Sequence, residues 1–375
     1  MVVKMALAAL LSASIVCLAG AAEVTIANVS GITGPNAATG AETMKETIGY
    51  IDYLNAKGGV NGNKLKLVYR DDQYDPKKTA ALVGEVIANE NPVGFLNLTG
   101  TANAYAVIKS GVLAQNKMPV VGVFSGSELI RGPGSEQLFH TRVGYNEEIQ
   151  KISRLASTIG IKRIAVLYQD DSFGASINQS IAKAVDEFKF EVVDKAAYKS
   201  GDKDFSKQVK EIIDSKPQAI FLMGVPEAVA LFMKAYEAPA ERPQIYTLSF
   251  VPAKYLMEIA GDKHARGVGI SQVVPNPNVA SLPLATEFQN FLKTPYGKGV
   301  SSNPLNFEVF LNVRLMIEAI RMAGPKPTPE KVTQALTSMK GYMLSGYPIS
   351  FGETNRVGAH YQDIGVVGSN GRLAY

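Results

Sequence analysis

VSGITGPNAATGAETMKETIGYIDYLNAKGGVNGNKLKLVYRDDQYDP, residues 29–76, joins a strand, a loop, a helix, a turn and a second strand. The opening strand, residues 24–29, runs into a loop punctuated by Gly and Pro at 31–40. That loop feeds a helix in which Met44, Ile48, Ile51 and Leu54 recur at helical spacing. The loop therefore sits at the carboxyl end of a sheet strand, the edge where open parallel sheets collect ligands, because helix amino termini converge there with free N–H groups. NAKGGVNGNK, residues 55–64, supplies a glycine-rich helix stop and a turn before the next strand at 65–69, and Asp71, Asp72 and Pro76 close the unit. Taken singly, Gly58 and Gly59 are a helix cap and the two aspartates are turn formers.

In combination, the TGP loop, the NAKGGV-G-K turn and the DD-x-x-x-P ending occur in the order found in the first βαβ unit of the leucine/isoleucine/valine-binding branch of the periplasmic solute-binding proteins. The sequence resembles that family from about Glu23 to its end, most strongly over this unit. The resemblance implies an α/β chain with the two-lobed type I periplasmic-binding-protein fold. Each lobe is then a doubly wound, mainly parallel sheet, and three hinge crossovers join the lobes, here near Arg142, Val273 and Pro348.

Composition sets the outer bounds. A chain of 375 residues suits two domains, each large enough to bury most of its apolar surface. The net charge is only +4 and no basic run with interleaved aromatics occurs, which argues against nucleic acid as a partner. Residues 1–22 read as an export signal: Lys4, an apolar run over 5–18, then Ala19, Gly20, Ala21 and Ala22. The run is short of the roughly 20 apolar residues of a spanning helix. Cys17 is the only cysteine, and Val16 precedes it where a lipoprotein signal has a small residue. A cleaved, periplasmic protein is expected, without a thiol for a disulfide or a metal.

Beyond the first unit, residues 76–89 form a helix, 92–98 a strand, and Thr99 to Asn103 a strand-to-helix turn with a hydroxyl residue at the N-cap. A continuous apolar strand at 118–123 ends in Phe124-Ser125-Gly126-Ser127. From about 147 the alternation of helix and strand restarts, which means a second parallel sheet with helices on both faces. Residues 275–346 are nearly all helical, with Val309, Val313, Met316 and Ile320 as one core stripe. The domains expected are 23–141 with 274–347 for the first lobe, and 142–273 with 348–375 for the second.

No catalytic constellation appears. Ser125 stands one place off a nucleophile elbow, and His140, His264 and His360 are isolated from any second ligand. Gly267-Val-Gly269 lacks the third glycine of a dinucleotide loop, and no phosphate loop occurs. Asp71 and Asp72 offer too few oxygens for calcium, and Glu147-Glu148 reads as a helix-start charge pair. No metal, cofactor or enzymatic activity is expected; the partners expected are a small-molecule ligand and the membrane permease of an ABC importer, with the binding protein a monomer.

The family's ligand-binding positions, carried over residue by residue, fall on Thr39, Gly100 and Ser125 in the first lobe and on Phe173, Val225 and Ser249 or Phe250 in the second. Thr99 and Thr101 flank Gly100, and Gly126 and Tyr145 join the expected site. The family's glutamate that pairs with a ligand ammonium is missing, and an unpaired ammonium between two lobes would cost several kcal/mol. The reading favoured is a small aromatic or apolar organic acid, its carboxylate held by Ser125 and main-chain N–H groups near Thr101. A branched-chain or other apolar amino acid is the alternative, with Glu147 or Asp171 supplying the missing acid. A ligand-sensing receptor subunit is the further alternative.

Overall fold

A computed structural model describes residues 22–236 and 242–375; the export-signal reading of residues 1–22, Ala22 apart, and the Cys17 reading lie outside them. The first lobe opens with β1 (Glu23–Ser30), α1 (Ala37–Ala56), β2 (Lys64–Asp71), α2 (Pro76–Glu90), β3 (Phe95–Thr99), α3 (Thr101–Ser110), the single turn α4 (Val112–Gln115), β4 (Val120–Phe124) and β5 (Leu138–Phe139). The second lobe follows as α5 (Tyr145–Thr158), β6 (Arg163–Gln169), α6 (Ser172–Phe188), β7 (Glu191–Tyr198), α7 (Ser206–Asp214), β8 (Ala219–Met223), α8 (Pro226–Ala235), β9 (Gln244–Thr247), α9 (Ala253–Ala260), the turn α10 (Asp262–Ala265) and β10 (Gly269–Gln272). The chain then returns to the first lobe through α11 (Pro283–Leu292), α12 (Pro304–Met322), α13 (Pro329–Ser338) and the hairpin β11 (Tyr342–Leu344) and β12 (Tyr347–Ile349). It ends in the second lobe with β13 (Asp363–Val367) and β14 (Leu373–Ala374).

Helix starts follow one local grammar. Asp75 accepts hydrogen bonds from the N–H groups of Lys77 and Lys78 ahead of α2, Asn303 from Asn306 ahead of α12, and Thr328 from Lys331 ahead of α13. A proline follows each cap at the first helical position, where its missing N–H is not needed. The N-cap of α3 differs from the expected hydroxyl residue: it is Gly100, which has no side chain to cap with.

The first sheet is ordered β2-β1-β3-β4-β5 and is parallel throughout. The second repeats that order as β7-β6-β8-β9-β10 and adds β13 and β14 antiparallel at its edge. Each sheet buries both faces, one lobe between the α1/α11/α12 core and the α2/α3 core, the other between the α7/α8/α9 core and the α5/α6 core. Such burial explains the near-continuous apolar runs of the strands. Four short strands, β5, β10, β11 and β14, carry too few residues for a periodicity to show.

The first two crossings lie at residues 140–144 and 273–282. The third lies further along than Pro348: Ile349, Phe351 and Ala359 all pack in the first lobe's core, and the second sheet is rejoined only at Asp363. Backbone pairing of His140 with Arg356 (2.8 Å) and Gly358 (2.8 Å) holds this last crossing beside the first, keeping it in lobe one up to about residue 359.

Candidate functional site

The strand order reverses between β1 and β3 in one lobe and between β6 and β8 in the other, and such switch points are where doubly wound sheets bind ligands. A narrow cavity lies between the two rims. From the first lobe it is lined by Asn36, Thr39 and Thr43 around the start of α1, by Thr99, Gly100 and Thr101 at the β3–α3 junction, and by Tyr74, Phe124 and Leu305. From the second lobe come Tyr145, Phe173, Val225 and Phe250. The lobes also touch outside its lining, where the Ser127 hydroxyl lies 2.5 Å from that of Ser176.

The residues expected from sequence divide into two sets. Thr39, Thr99, Gly100, Thr101, Tyr145, Phe173, Val225 and Phe250 meet in the cavity wall. Ser125, Gly126 and Ser249 stand behind it. The Ser125 hydroxyl is fully buried, 2.8 Å from that of Thr101, so Ser125 backs a residue of the wall. The carbonyl of Gly126 accepts the Tyr145 N–H (2.7 Å), a main-chain tie across the first crossing. Ser249 donates its N–H to Glu148 (3.1 Å).

The wall is aromatic on one side and hydroxylic on the other. Tyr145 and Phe173 are 5.4 Å apart between ring centroids, and Phe173 and Phe250 5.9 Å in an edge-on arrangement. Phe250 also touches the cores of both lobes, so it sits where they converge. Opposite stand Thr99, Thr101 and the first turn of α3, whose leading N–H groups have no intrahelical acceptor. Burial raises the Tyr145 phenol above its usual pKa, against the lowering effect of the Ser125 hydroxyl, Arg142 and the Thr101 hydroxyl. It therefore stays a neutral donor.

No Asp, Glu, Lys, Arg or His side chain lines the cavity among the described residues. Asp171 is committed to the start of α6, where it accepts from the N–H groups of Phe173 (2.9 Å) and Gly174 (3.3 Å) and from Gln169 (2.6 Å). Glu147 flanks Gly144 together with Glu128. Glu148 stands with Glu147 in the first turn of α5, as expected, but is buried and also accepts the Ser271 hydroxyl (2.5 Å). Beneath the cavity Arg142 forms a two-pronged pair with Glu308 (2.8 and 2.7 Å), with its guanidinium 5.3 Å from the Phe124 ring and 5.8 Å from that of Phe250.

Asn36, Thr43, Tyr74, Phe124 and Leu305 escaped the sequence reading. Thr43 follows Thr39 by one helical turn, a spacing that could have revealed it. Leu305 comes from a helix about 250 residues beyond α1, and nothing local marks it. Among the described residues no helix is long and apolar enough to cross a membrane, and no group of His, Cys, Asp or Glu could hold a metal ion.

The chain is similar to the leucine-, isoleucine-, valine-, threonine- and alanine-binding protein of Pseudomonas aeruginosa, 25% identical over 323 residues that cover 84% of this chain and 82% of that one. With Leu/Ile/Val-binding protein homolog 3 of Brucella melitensis it shares 24% identity over 206 residues, spanning about half of that relative, 55% of its length and 54% of this chain. A substrate-binding periplasmic protein from Ralstonia solanacearum superimposes with a TM-score of 0.88 at 32% identity, over 93% of this chain and 99% of that one. A branched-chain amino acid ABC transporter structure from Thermus thermophilus with bound valine has the same fold, with a TM-score of 0.83 at 21% identity over 95% of both chains. Residues 23–372 match the periplasmic binding protein family from end to end, and the chain belongs to that family, in its leucine/isoleucine/valine-binding-like branch.

Proposed function

We propose that this protein is the extracytoplasmic receptor of an ABC importer, that it captures a small carboxylate-bearing solute with an apolar or aromatic body, and that closing of the two lobes is what the permease reads. One observation carries the choice of solute: the cavity joins the open start of α3 and the Thr99 and Thr101 hydroxyls to an aromatic wall, with no charged side chain in its lining among the described residues. A carboxylate is served by helix N–H groups and hydroxyls. An ammonium would have no carboxylate to meet, a heavy penalty in a desolvated cleft. Contact of the solute with both lobes favours the closed form over the open one, which converts binding into a shape change.

The second reading, an apolar amino acid, is favoured by the Pseudomonas aeruginosa relative, which is named for binding such amino acids. Melting of the chain from residue 23 onward, in the presence of phenylacetate, benzoate, 4-methyl-2-oxopentanoate, leucine, valine and phenylalanine, separates the two. At about 100 times its Kd a true ligand adds roughly 2.7 kcal/mol and a clear rise in Tm. The acids are expected to give that rise. Stabilisation by the amino acids alone overturns the organic-acid reading and leaves the amino-acid one.

A further inference from the structure

The acidic turn after β2 shapes the cavity from outside it. Asp71 accepts from the N–H groups of Ile32 (3.0 Å), Thr33 (3.2 Å) and Gln73 (3.0 Å) and from the Thr33 hydroxyl (2.5 Å). Asp72 accepts the Tyr74 N–H (2.8 Å) and the Thr79 hydroxyl (2.6 Å). Between them these bonds hold Gln73 at φ 57° and Tyr74 at φ 62°. Two consecutive bulky residues in the left-handed region are costly, and such strain persists where the surroundings impose it, commonly at functional sites.

The turn sends Tyr74 out of its own lobe. Its ring packs against the second lobe's apolar core, whose members include Tyr198 and Val225. There a polar chain is already assembled: the Val225 N–H donates to the Tyr198 hydroxyl (3.1 Å), Tyr198 to Gln169 (3.2 Å) and Gln169 to Asp171 (2.6 Å). On the near side the ring lies over Gly100. A Cβ at that position would stand 2.6 Å from Oδ1 of Asn103 and 2.8 Å from Cε2 of Tyr74, and the glycine's φ of 98° disfavours any side chain there.

We propose that Tyr74 and Gly100 act as one specificity element: the Tyr74 ring occupies part of the space a side chain at residue 100 would need, gives the cavity an aromatic wall beside the start of α3, and latches the first lobe to the apolar core of the second. This rests on the receptor reading above and adds which residues select a flat apolar solute.

The chain from residue 23 onward has no cysteine, so Lys109→Cys and Lys183→Cys place one spin label on an exposed position of each lobe, and the label distance reports closure. Affinities are measured in parallel by calorimetry with phenylacetate and leucine as probes. Tyr74→Ala is expected to weaken phenylacetate by about tenfold or more, to change leucine by less than about threefold, and to broaden the label distances at saturation. Tyr74→Phe keeps the wall and its packing on the second lobe, holding phenylacetate within about threefold and the open fraction close to the parent's. Gly100→Ala displaces the ring and reproduces Tyr74→Ala, and the double variant is no worse than either single, since both remove one interaction. Equal losses for the two probes, or additive losses in the double variant, overturn the proposal. Should neither probe bind the parent chain, the solute reading fails on its own; the latch is then read from the ligand-free label distances, and identical distances in Tyr74→Ala and the parent overturn it.

Discussion

Glu46 has neither carboxylate oxygen hydrogen-bonded among the described residues and is fully buried. It falls on the same stripe of α1 as Thr39 and Thr43. Burial raises its pKa well above the usual value of 4.5, and Glu42 nearby adds to the rise. The folded chain therefore keeps a proton that the unfolded chain releases above that value. The contribution to stability is complete below pH 4.5 and is lost as pH rises toward the folded-state pKa. Glu46→Gln keeps the shape without the charge. Melting followed from pH 5 to 9 is expected to place the variant above the parent at pH 8, with the gap narrowing toward pH 5. His140 works in the opposite direction: burial, then Arg131, pushes it well below 6.5, so its share is complete above that pH and shrinks as the unfolded chain gains a proton below it.

The helix α12 shows what a sequence does and does not disclose about an element. Its stripe of Val309, Val313, Met316 and Ile320 is fully buried, as the spacing implies. Asn312 is buried just as deeply, and nothing in the local pattern predicts it. Its amide donates to Asn97 on β3 (2.8 Å) and accepts the Thr141 hydroxyl, partners 215 and 171 residues away. It fits because β4 has Gly122 opposite, at φ 75°, where a Cβ would lie 2.2 Å from the amide nitrogen. Periodicity reports a helix's own face, whereas partners brought by folding leave no local trace. The same contrast separates the first βαβ unit, legible from its punctuation, from β10, four buried residues between two loops. At the site, the rims were legible because loops follow strands, but Tyr74 was not, because its reach depends on a left-handed turn. Asn312→Leu strands the polar groups of Asn97 and Thr141, and urea unfolding is expected to show a loss of about 1–3 kcal/mol. A loss near zero would mean that those groups find other partners.

At the scale of the whole molecule, the lobes are joined where charge is most deeply buried. Arg142 on the first crossing pairs with Glu308 of the first lobe, while Glu148 of the second lobe accepts Ser271 on β10, at the second crossing. One guanidinium nitrogen of Arg142 and one oxygen of Glu148 have no hydrogen-bond partner among the described residues. Replacing Glu308 alone leaves the arginine's charge buried without its main counter-ion. Glu308→Gln is therefore expected to cost about 3–5 kcal/mol in urea unfolding. Replacing both, Arg142→Met with Glu308→Leu, removes the buried charges together and should restore most of that loss, because desolvation offsets much of what a buried pair contributes. Affinity should behave differently from stability. The guanidinium supports the Phe124 and Phe250 rings from below, and those rings line the cavity. A double variant that regains its urea midpoint yet binds its solute several-fold more weakly would assign the pair to positioning the aromatic wall; recovery of both midpoint and affinity would reduce it to a stabilising contact that hydrophobic residues can replace.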